Sequence, residues 1–554
     1  MKAEELRRKF KFAITGVTMA AMITSMAACS SQTTSASASS ETSVETTAAE
    51  AEGRTEGTAA EAESGTEGTA AEAESGTEGT AAEAESGTEG IAAEAESDTS
   101  VSDTAAGTEE ITAKAATAAS GTVQPGPAKN EIETTETSES SEDSSHAITA
   151  DGEEISVTNT AVTKTGDSDQ EDEADFYGDN AAVFATNGAA LSLDEMVIET
   201  DGTHANAVFS YGEGTTVNIS NSYIETSGNC SGGLMTTGGG TMNADNLTIL
   251  TSGNSSAAIR SDRGGGTVNV TGGTYTTSGT GSPVIYSTAD ITVSDAQMES
   301  SASQGIVVEG KNSVTLNNVS LTADNNTKNS DKSDYYQAVM IYQSMSGDAD
   351  EGTSSFTMNG GSLTNANGDV FFVNNTATTI DLTDAQIINN GDGVFLRAEA
   401  AGWGSEGSNG GHVNMTAADQ EINGDMVVDE VSELNLYLKD GSVFTGAVNS
   451  DGAAGGVYVE IEEGSKWILT GDSYITSLTC GADAIDLNGY TLHVGDETYE
   501  AGSESVGEAI TFTVSSGSGK GSGAPEGKPG EDGGHGGAGR DGSTPPEKPN
   551  GRKE

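Results

Sequence analysis

Arg260 and Arg263 stand three residues apart with Asp262 between them, in the stretch AAIRSDRGGG, within a chain whose acids outnumber its bases 87 to 23. Two guanidinium groups so spaced can grip a carboxylate or sulfate through paired N–H donors. An Asp between them can instead neutralise both and leave a surface ion pair worth about 1 kcal/mol at most. Arg397, with Trp403 six residues on, offers a second cation beside an aromatic face that could stack on a sugar ring. The plainer role for Trp403 is to cover an apolar shoulder of the fold. Other chemistries are thin. There is no Cys/His metal cluster, no phosphate-cradling loop with a Lys, and no credible Ser/His/Asp set. GGHGG around His535 lies in a tail of Gly and Pro and is read as coincidence. No cofactor is expected. Weak calcium binding is open to the acidic runs DSDQEDEAD and SGDADEG, although neither matches an EF-hand or a Gly-rich calcium nonapeptide.

Those side chains sit in a chain of 554 residues with 73 glycines, 5% aromatics and a formal charge of −64. That charge repels phosphate backbones, so nucleic acid is excluded as a partner. Three cysteines are too few for a disulfide framework. Cys230 and Cys480 are expected as small core residues with free thiols, a bridge between them being the alternative.

Residues 1–28 read as a signal peptide, with Arg7, Arg8, Lys9 and Lys11 ahead of a short apolar run. Met26-Ala27-Ala28-Cys29 resembles the lipobox of bacterial lipoproteins, which implies lipidation of Cys29 and a membrane anchor built from buried methylenes. Residues 29–145 are Ser, Thr, Ala, Gly and Glu, with EGTAAEAESGT recurring every eleven residues from Glu56. Nothing there can fill a core, and a disordered acidic tether is expected. Its flexible span is on the order of 60 Å, lengthened by self-repulsion. Residues 516–554 form a Gly/Pro-rich tail expected to be disordered.

Between them, residues 146–515 repeat one pattern: an apolar residue, another two on, and a third five beyond. It reads in VNISNSYI (Val217, Ile219, Ile224), VNVTGGTY (Val268, Val270, Tyr275) and VTLNNVSL (Val314, Leu316, Leu321). Copies from Leu191 follow at intervals of 26, 25, 26, 23 and 23 residues, then 42, 24 and 33, and the copy at Val413 fails at its third position. Each copy alternates on either side of an Asn, Asp, Ser or Gly corner, and a third apolar patch precedes it: AVFS at Ala207, AAIR at Ala257, VFFV at Val370. Three short strands per repeat predict a parallel β-helix, all-β, right-handed like other parallel crossovers, with about eleven to thirteen coils stacked roughly 4.8 Å apart. Setting AAIR against AVFS by their first residues puts Arg260 at a strand end and Arg263 in the following turn, both on the surface. The acidic DSDQEDEADFYGDN is expected to cover the first coil. VYVEIEEGSKWILTGDSYITSL, with Trp467, is expected to cap the last.

This repeat resembles the right-handed β-helix proteins of the pectin-lyase-like group, especially adhesin-like and carbohydrate-binding surface lipoproteins of bacteria. The resemblance implies a lipid-anchored protein on the extracellular face of the cell envelope. It would bind an extracellular glycan or surface protein without catalysis, Arg260, Asp262, Arg263, Arg397 and Trp403 being the candidate contacts. Two alternatives stand beside it. One is a polysaccharide lyase on acidic glycans, with a base in the Arg260 region. The other is a structural envelope spacer.

Overall fold

The computed structural model describes residues 123–452 and 455–512. The signal peptide, Cys29, most of the tether and the tail from residue 513 lie outside the described residues.

The described chain winds as a parallel β-helix. Sheet A has ten strands, from Glu136–Ser140 to Gln386–Asn389; sheet B has eleven, from Ile148–Asp151 to Asp425–Val428; sheet C has thirteen, from Glu154–Thr158 to Ser477–Cys480. Successive strands run C, A, B, and neighbours in each of these sheets are parallel and in register. The apolar repeat becomes vertical ladders. Leu191, Val217, Met242, Val268, Ile291, Val314, Phe356 and Ile380 stack along sheet C, and all lie in the core. Each such side chain contributes roughly 1.5–3 kcal/mol by leaving water.

The corner between sheets C and A bends through the left-handed region, as the turn residues require. Asn221, Asn246 and Asn318 have φ of 47°, 54° and 52°, angles that Asn reaches more cheaply than most side chains. Gly273 sits there at φ 90°, where a Cβ would stand 2.2 Å from the Leu247 carbonyl oxygen, so only glycine fits. The corner between sheets A and B is held by a buried polar column. Ser231, Ser256 and Ser282 each donate a hydroxyl to the carbonyl of Gly202, Gly228 or Gly253 at 2.8–3.0 Å. Lys164 plays this part in the first coils, its buried ammonium donating to Glu142 O and Gly166 O.

Three expectations about the coils are corrected. Strand Glu136–Ser140 pairs with Thr160–Lys164, so the coils begin inside the segment read as tether. DSDQEDEADFYGDN does not cover the first coil: it carries a helix, Glu171–Tyr177, laid against sheet B. The supposed C-terminal cap is itself coil, because Gly456–Ile461 continues sheet C and Lys466–Ile468 belongs to a four-stranded sheet, D. Closure comes later, from the antiparallel pair Leu492–Val494 and Glu497–Thr498 and from Ser505, bridged antiparallel to Cys480. The failed copy at Val413 marks a change of sheet. Sheet A stops at Gln386–Asn389, sheet D starts at Glu421–Asn423, and buried Gln420 fills the step, bonding to both N and O of Ala385. Cys480 is a buried free thiol, as expected; Cys230 is buried but is not a free thiol, which corrects that half of the expectation, and the two do not bridge each other.

Candidate functional site

Sheets A and C turn their outer faces toward solvent, with alternating burial along most of their strands; sheet B does not. Strands Val183–Thr186, Ile306–Glu309, Gln337–Tyr342 and Asp369–Asn374 are buried at every position. The reason is a second apolar row pointing away from the core: Phe184, Phe209, Met235, then Tyr286, Val307, Met340 and Phe372. Four irregular segments cover it. The helix Glu171–Tyr177 lies over the early coils, where Thr237 Oγ1 donates to Phe176 O at 2.7 Å. Residues 343–352 follow, with Ser344 bonded to Glu309. Residues 324–336 and 399–410, the two insertions implied by the long intervals, meet over the later coils, where Gly402 N donates to Lys332 O at 2.7 Å.

Arg260 is part of this covered row, not of the surface. Its partners in register are Met235 and Tyr286, and Met235 in turn faces Phe209. Matching AAIR to AVFS by their first residues sets Arg260 against Ser210, but the observed register sets it against Phe209, one residue away, and in a strand one residue exchanges the two faces. Arg260 is 5% exposed and donates from Nη2 to Asp262 Oδ2 at 2.7 Å, with Asp175 Oδ2 of the helix at 3.8 Å. Burial alone would lower its pKa, but these two carboxylates hold it above the ordinary guanidinium value. It therefore stays charged. Arg263 reaches outward, donates to Asp348 Oδ1 at 2.7 Å and lies 3.9 Å over the Phe176 ring. Asp262 is completely buried and also accepts from the Arg263 backbone N–H.

Beside this pair lies a feature that sequence reasoning missed. Glu309 is fully buried and accepts hydroxyls from Tyr286, Tyr342 and Ser344, plus the Ser344 N–H at 3.3 Å. Burial pushes its carboxyl up, and the donors pull it back. Its signal in sequence was GIVVEG, an acid ending an otherwise apolar strand.

Arg397 and Trp403 are brought to the same face further along, apart from the Arg260 cluster. Arg397 donates to Asp369 at 2.6 Å and to Glu399 at 3.1 Å, and its guanidinium sits 3.7 Å over Tyr335. Burial raises the Asp369 carboxyl despite the arginine. Trp403 is 1% exposed and packs edge-on against Tyr342 at 5.2 Å, covering an apolar shoulder as the plainer reading expects. Lys332 lies 5.7 Å over its ring. Three acids of the calcium candidates have other partners: Asp175 holds His204, Asp348 holds Arg263, and Asp350 holds Lys311. Among the described residues no group of three or more His, Cys, Asp or Glu could hold a metal, and no helix is long and apolar enough to cross a membrane.

Comparison with protein-family models, curated proteins and solved structures finds no match for this chain.

Proposed function

We propose that this chain is a non-catalytic surface module, anchored through a lipid on Cys29, whose β-helix binds extracellular glycan or a surface protein in the manner of an adhesin. The observation that carries the reading is the concentration of irregular structure on one face. Helix Glu171–Tyr177 and residues 324–336, 343–352 and 399–410, contributed by different coils, all gather over sheet B and bring Lys328, Lys332, Tyr335 and Tyr336 to its rim. Recognition resides disproportionately on loops held by a rigid scaffold. The absence of catalysis rests on the arginines: Arg260, Arg263 and Arg397 each hold a carboxylate at 2.6–2.7 Å. A lyase base in the Arg260 region would have to give up a proton that Asp262 and Asp175 retain.

The test is binding of the purified full chain to a panel of glycans and matrix proteins, with absorbance of unsaturated uronates followed in parallel. Binding without new absorbance is the expected result. Product absorbance would establish a lyase instead, and failure to bind any member would leave the spacer. Mass spectrometry of the mature N-terminus tests the anchor: a diacylated Cys29 is expected, and an unmodified terminus elsewhere removes it.

A further inference from the structure

The cover on sheet B is tied down by charges that do not balance. Asp175, Asp262, Glu309 and Asp348 are each at most 4% exposed. They face two guanidiniums, Arg260 and Arg263, and one imidazole, His204, whose Nδ1 is 2.9 Å from Asp175 Oδ1. With His204 neutral two negative charges are left over, and with it protonated one remains. Lys332, on a neighbouring segment, contributes to the field at Glu309, but burial lowers its own tendency to hold a proton. Unbalanced charge in a water-poor site is costly, and the cheapest remedy is to keep a carboxyl protonated.

The ties also have a direction. Asp175 and Phe176 belong to the helix, and Ser344 and Asp348 to residues 343–352; their partners Arg260, Arg263 and Glu309 belong to sheet B or the turn after its strand. Every one of these contacts therefore joins cover to sheet.

We propose that this cover is proton-operated: helix Glu171–Tyr177 and residues 343–352 close over sheet B in a protonated state and lift as the proton is lost, baring the row of Phe209, Met235 and Tyr286. The inference stands on the fold and does not depend on which ligand, if any, the face receives. Asp262 is the group best placed to carry the proton. Its carboxyl is raised to about 7, the net of burial pushing it up, Arg260 pulling it down, and Asp348 and Asp175 pushing it up again. Glu309, already supplied with donors from Tyr286, Tyr342 and Ser344, is displaced in the same direction. With the cover lifted, water returns and both carboxyls revert toward ordinary values near 4. The closed form thus binds more protons than the open one. Its advantage is complete below about pH 4 and is lost as pH rises through about 7.

Hydrogen exchange on the full chain between pH 5 and pH 8, corrected for intrinsic rates, reads this directly. Amides of 171–177 and 343–352 should lose at least about tenfold in protection over that range, while the sheet A strands Thr248–Thr251 and Thr274–Thr277 do not change. Asp262→Asn should flatten the dependence. If that variant fails to fold, as the sheet A amides would reveal, Asp348→Asn should give a shallower slope by removing one of the surplus charges. Constant protection in the unaltered chain overturns the proposal, and so does a slope equal to the unaltered chain's in a variant that folds. Neither result bears on whether the chain binds glycan, because no ligand is present.

Discussion

The outer faces of sheets B and C differ although their strands share one coil spacing. Across its middle coils sheet C presents Asn218, Asn243, Asn269, Thr292, Thr315 and Thr357 in one row, each directly above the last and all exposed or half-buried. Asn269 donates to Asn243, and Asn243 to Asn218, at 2.9–3.0 Å, so the face satisfies much of its own polarity. Sheet B presents Phe209, Met235, Arg260, Tyr286 and Val307, and these are buried under loops. The lesson is that the repeat sets only the inward rows. The outward row decides whether a face is left bare or acquires a second layer, and polar groups trapped beneath that layer must find partners.

Four substitutions would break or sharpen this contrast. The largest effect belongs to the axis that both sheets share. Phe371→Ala removes a ring packed 5.5 Å from Phe356 and 5.6 Å from Phe395 and should cost about 3–5 kcal/mol in urea unfolding. A cost near that of a surface site would deny a single continuous core. Next is Arg397→Met, which strands the buried Asp369 carboxylate. It should cost about 3 kcal/mol at neutral pH, and less as acid protonates Asp369; a cost below 1 kcal/mol would make the sheet B face no different from an ordinary surface. Tyr286→Phe deletes one donor to Glu309 and should cost about 1–2 kcal/mol. Smallest is Thr315→Ala on the sheet C face, expected within about 0.5 kcal/mol of the unaltered chain. A larger loss there would mean the bare face is doing structural work of its own.

Much of the coil was legible because burial on one side of a strand imprints a period of two. Val217, Ile219 and Ile224 fell where the pattern put them, and so did the corners at Asn221 and Asn246. The second layer was harder to see. PVIY, AVMIY and VFFV lack alternation, the mark of a strand buried on both faces, yet a short unbroken apolar run is ambiguous by itself. Arg260 suffered most from that ambiguity. AVFS and AAIR align equally well in two registers, and only the pairing of Ile259 with Leu234, which pairs in turn with Val208, decides between them. The partners, Asp175 on the helix for Arg260 and Asp348 on a loop for Arg263, each lie 85 residues away, where no periodicity links them. Glu309 was hidden because an acid closing a strand ordinarily faces water.

The described chain does not enter the coils from their end. Gly126 N donates to Thr274 Oγ1, Lys129 pairs with Glu199, and Thr135 N donates to Asn159 O, so residues 123–135 run beside sheet A, against the direction of winding, before the first coil begins. Tension arriving at Val123 would peel this strip one contact at a time, as a zip opens, before any coil felt shear. Single-molecule stretching should therefore register a short, low-force lengthening ahead of the main rupture. A device of this kind would blunt sudden tugs on the fold.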